Sequence, residues 1–258
     1  MRKCGVKFTG LALFAFLFFA FTAYPAAAYE KIPAEFVSEI TEAGGVPFNQ
    51  PTDVAVSGGR LYVLDGMHHR VAVFDLNGRY LQQFGGSELK RPIGLCAGPA
   101  GSIYVPDAET AKVSVYSPEG KPVNSFTVGH AKNGGKPVIT DCAVSDKGEI
   151  FFVDNGNHYI HAYGKNGAMH RGWGKFGEDD NELRYPATAA LDKDGMVFVV
   201  DVINNKVKAF TSSGELHLWL GGWGITPGKL YRPKGVAIVG NRVFVSDSYT
   251  GAIQVFGA

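Results

Sequence analysis

The side chains with which this chain could do chemistry are carboxylates, histidines, arginines and cysteines, and their spacing sorts them. Asp65, Asp107, Asp154, Asp201 and Asp247 each stand three residues after an aromatic (Tyr62, Tyr104, Phe151, Phe198, Phe244). Each also stands six residues before a β-branched side chain (Val71, Val113, Ile160, Val207, Ile253) and nine before a second aromatic (Phe74, Tyr116, Tyr163, Phe210, Phe256). Carboxylates that recur at one place in a pattern read as architecture, because Asp accepts backbone N–H bonds from the loop that follows it. Asp53 and Asp141 stand apart from that pattern and are the carboxylates around which a metal could gather.

Zinc needs three or four converging donors. His68, His69 and His158 fall in loops, His161 in a strand, and His170 and His217 beside other strands, so no converging set is expected. Asp192-Lys193-Asp194-Gly195 echoes the start of a calcium loop but lacks the terminal Glu, and reads as a turn. No nucleophile–base pair or phosphate loop is evident. The expectation is therefore no catalytic residue, no metal and no cofactor. Cys96 and Cys142 fall on opposite faces of their own strands and are expected as buried free thiols, although an oxidising compartment permits a disulfide.

These groups are positioned by a repeated unit. Five segments align: 50–74, 91–116, 139–163, 185–210 and 232–256. Each opens with a short apolar stretch, turns at a glycine (Gly59, Gly101, Gly148, Gly195, Gly240), and runs through a second apolar stretch to its Asp. A polar loop then leads to an alternating stretch such as Arg70-Val71-Ala72-Val73-Phe74. In the first four units another Gly turn (Gly78, Gly120, Gly167, Gly214) leads to a fourth stretch. Stretches this short, separated by turns, predict strands rather than helices. Four antiparallel strands make a sheet with two apolar faces, which radial packing of neighbouring sheets can bury. The fold class is all-β, a β-propeller of about five four-stranded blades, six if one is missing from this chain. The blades are expected at about 48–87, 88–129, 136–177, 183–224 and 230–258. A strand at 36–41 is expected to supply the fourth strand of blade five and close the ring.

These residues resemble the NHL-repeat family. Blade four carries its pattern as Asp201, Asn204, Lys206, Val207 and Phe210, and blade five as Pro233, Gly235, Val236, Ala237 and Asp247, with Thr250 in place of Asn. Blade three keeps Asn157 but has Ile139 for the leading Pro. The resemblance spans about residues 36–258 and implies a propeller, normally of six blades. Enzymes of similar fold, such as peptide-amidating lyases, hold zinc with channel histidines; the strand starts here carry none.

Arg91, Arg184, Tyr185, Tyr231 and Arg232 precede first strands, so the repeat gathers them toward one mouth of the channel. Cations beside flat aromatic rings suit an anionic or sugar-like ligand. Gln50 and Val138 hold the matching places in blades one and three, so such a site is lopsided.

Arg2, Lys3 and Lys7 precede an apolar run from Leu11 to Ala23, and Ala26 and Ala28 supply small residues at a cleavage site. Residues 1–28 thus read as a secretory signal, with residues 29–258 forming the propeller. Removing the leader leaves 22 basic against 24 acidic residues, which disfavours nucleic acid as a partner. No second apolar run predicts a stable membrane span after cleavage. The reading is a non-catalytic binding or protein-interaction scaffold, periplasmic or extracellular. The alternative is a propeller enzyme of lyase or lactonase type using a channel-bound metal.

Overall fold

The computed structural model describes residues 35–131 and 134–257, so the expected leader lies outside the described residues. A two-stranded hairpin, β1 (Glu42–Ala43) and β2 (Val46–Pro47), comes first. Blade one is β3 (Pro51–Ser57), β4 (Arg60–Asp65), β5 (Arg70–Asp75) and β6 (Tyr80–Gly85). Blade two is β7 (Cys96–Ala97), β8 (Ile103–Pro106), β9 (Lys112–Tyr116) and β10 (Pro122–Thr127). Blade three is β11 (Ile139–Val144), β12 (Ile150–Asp154), β13 (Tyr159–Tyr163) and β14 (Met169–Trp173). Blade four is β15 (Pro186–Leu191), β16 (Val197–Asp201), β17 (Lys206–Phe210) and β18 (Leu216–Gly221). Blade five is β19 (Pro233–Val239), β20 (Arg242–Asp247) and β21 (Ala252–Gly257). Every blade is an antiparallel meander with its strands in chain order, and the chain is a five-bladed propeller.

Alternation along the strands gives each blade two apolar faces, and neighbouring blades bury them against one another. Blades one and two meet through Leu64, Val71 and Phe84 against Leu95, Ile103 and Tyr116. Blades two and three meet through Val113 and Val115 against Ile150 and Phe152. Phe151, Ile160 and Trp173 of blade three meet Ala189, Val197 and Phe210 of blade four. Phe198 and Val207 of blade four meet Val243 and Val245 of blade five. Each large side chain buried this way contributes roughly 1.5–3 kcal/mol.

The fourth strands lock neighbouring blades by a shared device. The ring of Phe84 occupies the space that a Cβ at Gly120 would need, and Phe126 and Trp173 stand likewise against Gly167 and Gly214. Each of these glycines makes the turn into the fourth strand of the next blade with positive φ, where a side chain would be strained.

The expected closure by a strand at 36–41 is corrected. These residues form no strand, and β21 has no partner on its outer side among the described residues. Ile40 packs against Gly78, the turn of blade one, in the manner of Phe84 against Gly120. Ile40, Ala43 and Phe48 cover Val63, Ala72 and Phe74 of blade one. The buried Arg70 guanidinium also donates to the Ala43 and Val46 carbonyls at 3.4 and 3.2 Å. Packing and these bonds hold the segment on blade one.

The cysteines are corrected as well. Cys96 and Cys142 form a disulfide, with Cα atoms 5.6 Å apart, joining the first strands of blades two and three. Opposite orientation within their own sheets places the two sulfurs face to face across the seam.

Candidate functional site

The entry to the first strand of each blade is organised by the five repeated aspartates. Each lies at the end of a second strand and is buried. Asp107 accepts the N–H groups of Lys90 and Arg91 at 2.6 and 2.7 Å, and of Glu109 and Thr110 at 3.1 and 2.8 Å. Asp247 accepts those of Tyr231, Arg232, Tyr249 and Thr250. Asp65 takes Asn49, Asp154 takes Val138 and Asn157, and Asp201 takes Arg184. The carboxylates thus hold the segment before the first strand as well as the loop that follows them. Burial opposes ionisation of Asp107 and Asp247, but these donors outweigh it and keep both below the usual carboxylate range. At Asp201 burial prevails and the carboxyl is raised, even though Lys208 Nζ lies 3.5 Å away.

Because the same device holds each segment, the expected rim residues all lie at one end of their blades. Their side chains form two groups and an outlier. Arg184 pairs with Glu178 and lies over the Phe176 ring, 5.5 Å from its centre. Tyr185, at φ 56°, donates its N–H to His158 Nδ1 at 3.1 Å and sets its ring edge-on to that imidazole. His158 in turn meets Phe176 at 5.1 Å. In blade five the Tyr231 and Tyr249 rings meet at a tilt of 35° with centres 4.1 Å apart, and Trp223 stands 6.3 Å from Tyr231. Arg232, the residue after Tyr231, is exposed. Arg91 is the outlier, its guanidinium turned to the Ala108 carbonyl at 3.4 Å.

Phe176, Trp223, Tyr249 and His158 are the members that sequence reasoning missed. Phe176 and Trp223 occupy matching places in two long loops, as Gly174-Lys175-Phe176-Gly177 and Gly222-Trp223-Gly224. A large ring flanked by glycines in a loop has little to bury it, and both are exposed. That flanking was the available signal.

Inside the ring, the first strands of all five blades line a cavity of about 350 Å³. Asp53, Asp141, Thr188 and Gly235 line it and hold matching places in four blades. Asp53 accepts the Leu95 N–H of blade two, and Asp141 the Ala189 N–H of blade four. Thr188 donates to the Lys234 carbonyl of blade five at 2.9 Å. Desolvation lifts the Asp53 carboxyl from 3.8 to about 6, against the pull of the Leu95 and Val54 N–H groups. Burial, and then the charge of Asp53, raise Asp141 well above the carboxylate range.

The other expectations resolve individually. His68 bonds Asp65 at 2.8 Å, and the buried His161 bonds Asp154 at 3.0 Å. Asp192 accepts the Asp194 and Met196 N–H groups, both at 2.9 Å, which makes that segment a hairpin turn. Among the described residues no three His, Cys, Asp or Glu side chains converge as a metal site would need.

Residues 48–74 and 230–256 match the NHL repeat model. No curated protein matches the chain. Among solved structures, a streptogramin B lyase is similar at 17% identity over 83% of this chain and 70% of that one, with a TM-score of 0.59. A virginiamycin B lyase from Staphylococcus aureus is similar at 16% identity over 80% and 69%, with a TM-score of 0.57. A protein of unknown function from Bacteroides caccae is similar at 12% identity over 77% and 72%, with a TM-score of 0.60. At these identities the likeness is one of fold.

Proposed function

We propose that this chain, a β-propeller carrying NHL repeats, is a non-catalytic binding scaffold of the cell envelope that holds an anionic, sugar-like ligand at one mouth of its channel. The observation that carries this reading is the pair of aromatic platforms. Phe176 and Tyr185 stand with Arg184, while Trp223, Tyr231 and Tyr249 form the second platform, with the exposed Arg232 following Tyr231 in the chain. Flat exposed rings take the apolar face of a saccharide, and a guanidinium grips a carboxylate or phosphate with two parallel bonds. Exposed apolar groups gathered at one end of a molecule mark interaction surfaces. Export is supported by the leader pattern of residues 1–28 and by the disulfide, which persists in oxidising compartments.

Titration with matched neutral and acidic oligosaccharides tests the proposal. The acidic member is expected to bind more tightly, and Arg184→Ala with Arg232→Ala is expected to abolish that preference. Trp223→Ser is expected to weaken both ligands without changing the melting temperature. Absence of any preference for the acidic ligand overturns the reading.

A second reading, a lyase or lactonase working in the channel, rests on Asp53 and Asp141, two carboxyls lining the cavity whose burial raises them above their ordinary value. The donor set fits a metal poorly, since Asp53 and Asp141 already accept N–H groups of neighbouring blades. Metal analysis of the purified protein separates the readings: a stoichiometric, tightly held cation replaces the binding scaffold with the enzyme.

A further inference from the structure

The loops that lead into blades four and five share one scaffold and differ in charge. Gly174-Lys175-Phe176-Gly177 matches Gly221-Gly222-Trp223-Gly224, and Leu183 matches Leu230. Phe176 pairs its backbone with Leu183 and Trp223 with Leu230, and both leucines are 0% exposed. The residue before each leucine folds back over the loop. A Cβ at Gly177 would meet the Glu182 carboxylate, and one at Gly224 would meet Lys229 Cβ at 2.9 Å. Within this frame Glu178, Asp179, Asp180 and Glu182 correspond to Ile225, Thr226, Pro227 and Lys229. The first loop pairs some of its charge, Lys175 with Glu182 and Arg184 with Glu178. The second carries no acid at all. None stands between Glu215 and Asp247, and Asp247 is buried among backbone donors. No ion pair among the described residues involves Lys229 or Arg232. Trp223 is 73% exposed and Ile225 67%. Beside them Trp219 Cζ3 and Lys229 Nζ lie 3.6 and 3.7 Å from the place a Cβ at Gly222 would take, and Lys206 Nζ lies over the Trp219 ring at 4.4 Å. Gly224 donates to the Leu230 carbonyl and Gly228 to Gln254 of β21, so the projecting loop is fastened at its base and along its side.

We infer that the loop 222–229 docks the propeller on an anionic lipid bilayer, with Trp223 and Ile225 entering the boundary between headgroups and acyl chains and Lys206, Lys229 and Arg232 meeting the lipid phosphates. Tryptophan collects at that boundary because its ring is apolar and its N–H stays wet. Peripheral binding grows with the apolar area buried and with attraction between cations and anionic headgroups. The acid-free loop meets both requirements, whereas Glu178, Asp179 and Asp180 turn the matching loop away from such a surface. At their exposure Trp223 and Ile225 project as a wedge rather than line a pocket for a partner's side chain. Ile225 has no flat face to offer a sugar, so a bilayer uses a residue that the ligand reading leaves without a role. The docking goes beyond that reading and stands without it.

The probe is vesicles of phosphatidylcholine mixed with phosphatidylglycerol, set against vesicles of phosphatidylcholine alone. The protein is used without residues 1–28, whose apolar run would itself bind lipid; residues 37–258 form one compact unit without them. Cosedimentation measures binding, and quenching of tryptophan fluorescence by brominated acyl chains reports entry of the loop. Binding to the anionic vesicles is expected, falling as salt is raised, with quenching that Trp223→Phe reduces. Ile225→Asp is expected to weaken it at least about tenfold, the contribution of one buried isoleucine side chain. Lys229→Glu, which restores the charge of the matching loop at that place, is expected to weaken it about fivefold or more. Leu76→Asp, 65% exposed in a turn at the opposite end of blade one, is expected to leave binding unchanged. Melting curves confirm that the variants remain folded. Failure to bind anionic vesicles, equal binding to both kinds, or binding indifferent to Ile225→Asp overturns the inference. So does a concentration-dependent dimer that Ile225→Asp dissociates, which assigns the loop to a second copy. Vesicle binding that fails while the acidic oligosaccharide is still preferred ends this inference and leaves the ligand reading in place.

Discussion

Asp53 Oδ2 accepts the backbone N–H of Leu95 at 2.7 Å, a bond that ties the innermost strand of blade one to that of blade two. Asp141 makes the same tie from blade three to Ala189 of blade four at 2.8 Å. Both carboxyls hold their protons more tightly in the folded protein than in the unfolded chain. The folded state therefore binds more protons, and the stability these groups contribute is lost as pH rises. For Asp53 the loss runs from 3.8 to about 6. Asp53→Asn with Asp141→Asn is expected to match the parent protein below about pH 4 and to melt a few degrees higher at about pH 7.5. Thermal melts across this range decide it, and parallel curves for the two proteins contradict the assignment.

Asp107 organises the entry to blade two through four backbone donors. Replacing it with Ala leaves part-buried N–H groups without partners, at about 1–3 kcal/mol each. Asp107→Ala is expected to lose at least about 3 kcal/mol in denaturant unfolding. Asp75→Ala, in an exposed turn, is expected to leave the midpoint unchanged.

The disulfide spans 46 residues of chain. Closing a loop of that length restricts the unfolded state by about 4 kcal/mol in the chain-entropy model. Cys96→Ser with Cys142→Ser is expected to lower the unfolding free energy by an amount of that order. Dithiothreitol should have the same effect on the parent protein and none on the variant.

Export has its own test. Ala26 and Ala28 occupy the small-residue positions of a leader cleavage site, so the exported protein is expected to begin at Tyr29. N-terminal sequencing that reads Met1 on exported protein contradicts cleavage.

The strands, the turns and the five-fold repeat were legible in the sequence because they depend on local chemistry. Alternating Val, Ile and aromatic residues, a glycine at each hairpin and an Asp at each strand end impose one conformation on every copy. Even the rim could be placed, since equivalent repeat positions must lie at the same end of their blades. What only the tertiary structure decided lies between the repeats. Whether Cys96 reaches Cys142 depends on the distance separating two sheets, which no spacing within either one encodes. Residues 36–41 carry a strand-like pattern, yet Ile40 settles in the notch at Gly78 and Arg70 fastens the following turn. The competition between pairing with β21 and packing on blade one is a balance of long-range contacts, invisible to a local reading. The same holds for Val71 and Ile253, equivalent in sequence and opposite in exposure, because burial belongs to whatever lies across the seam.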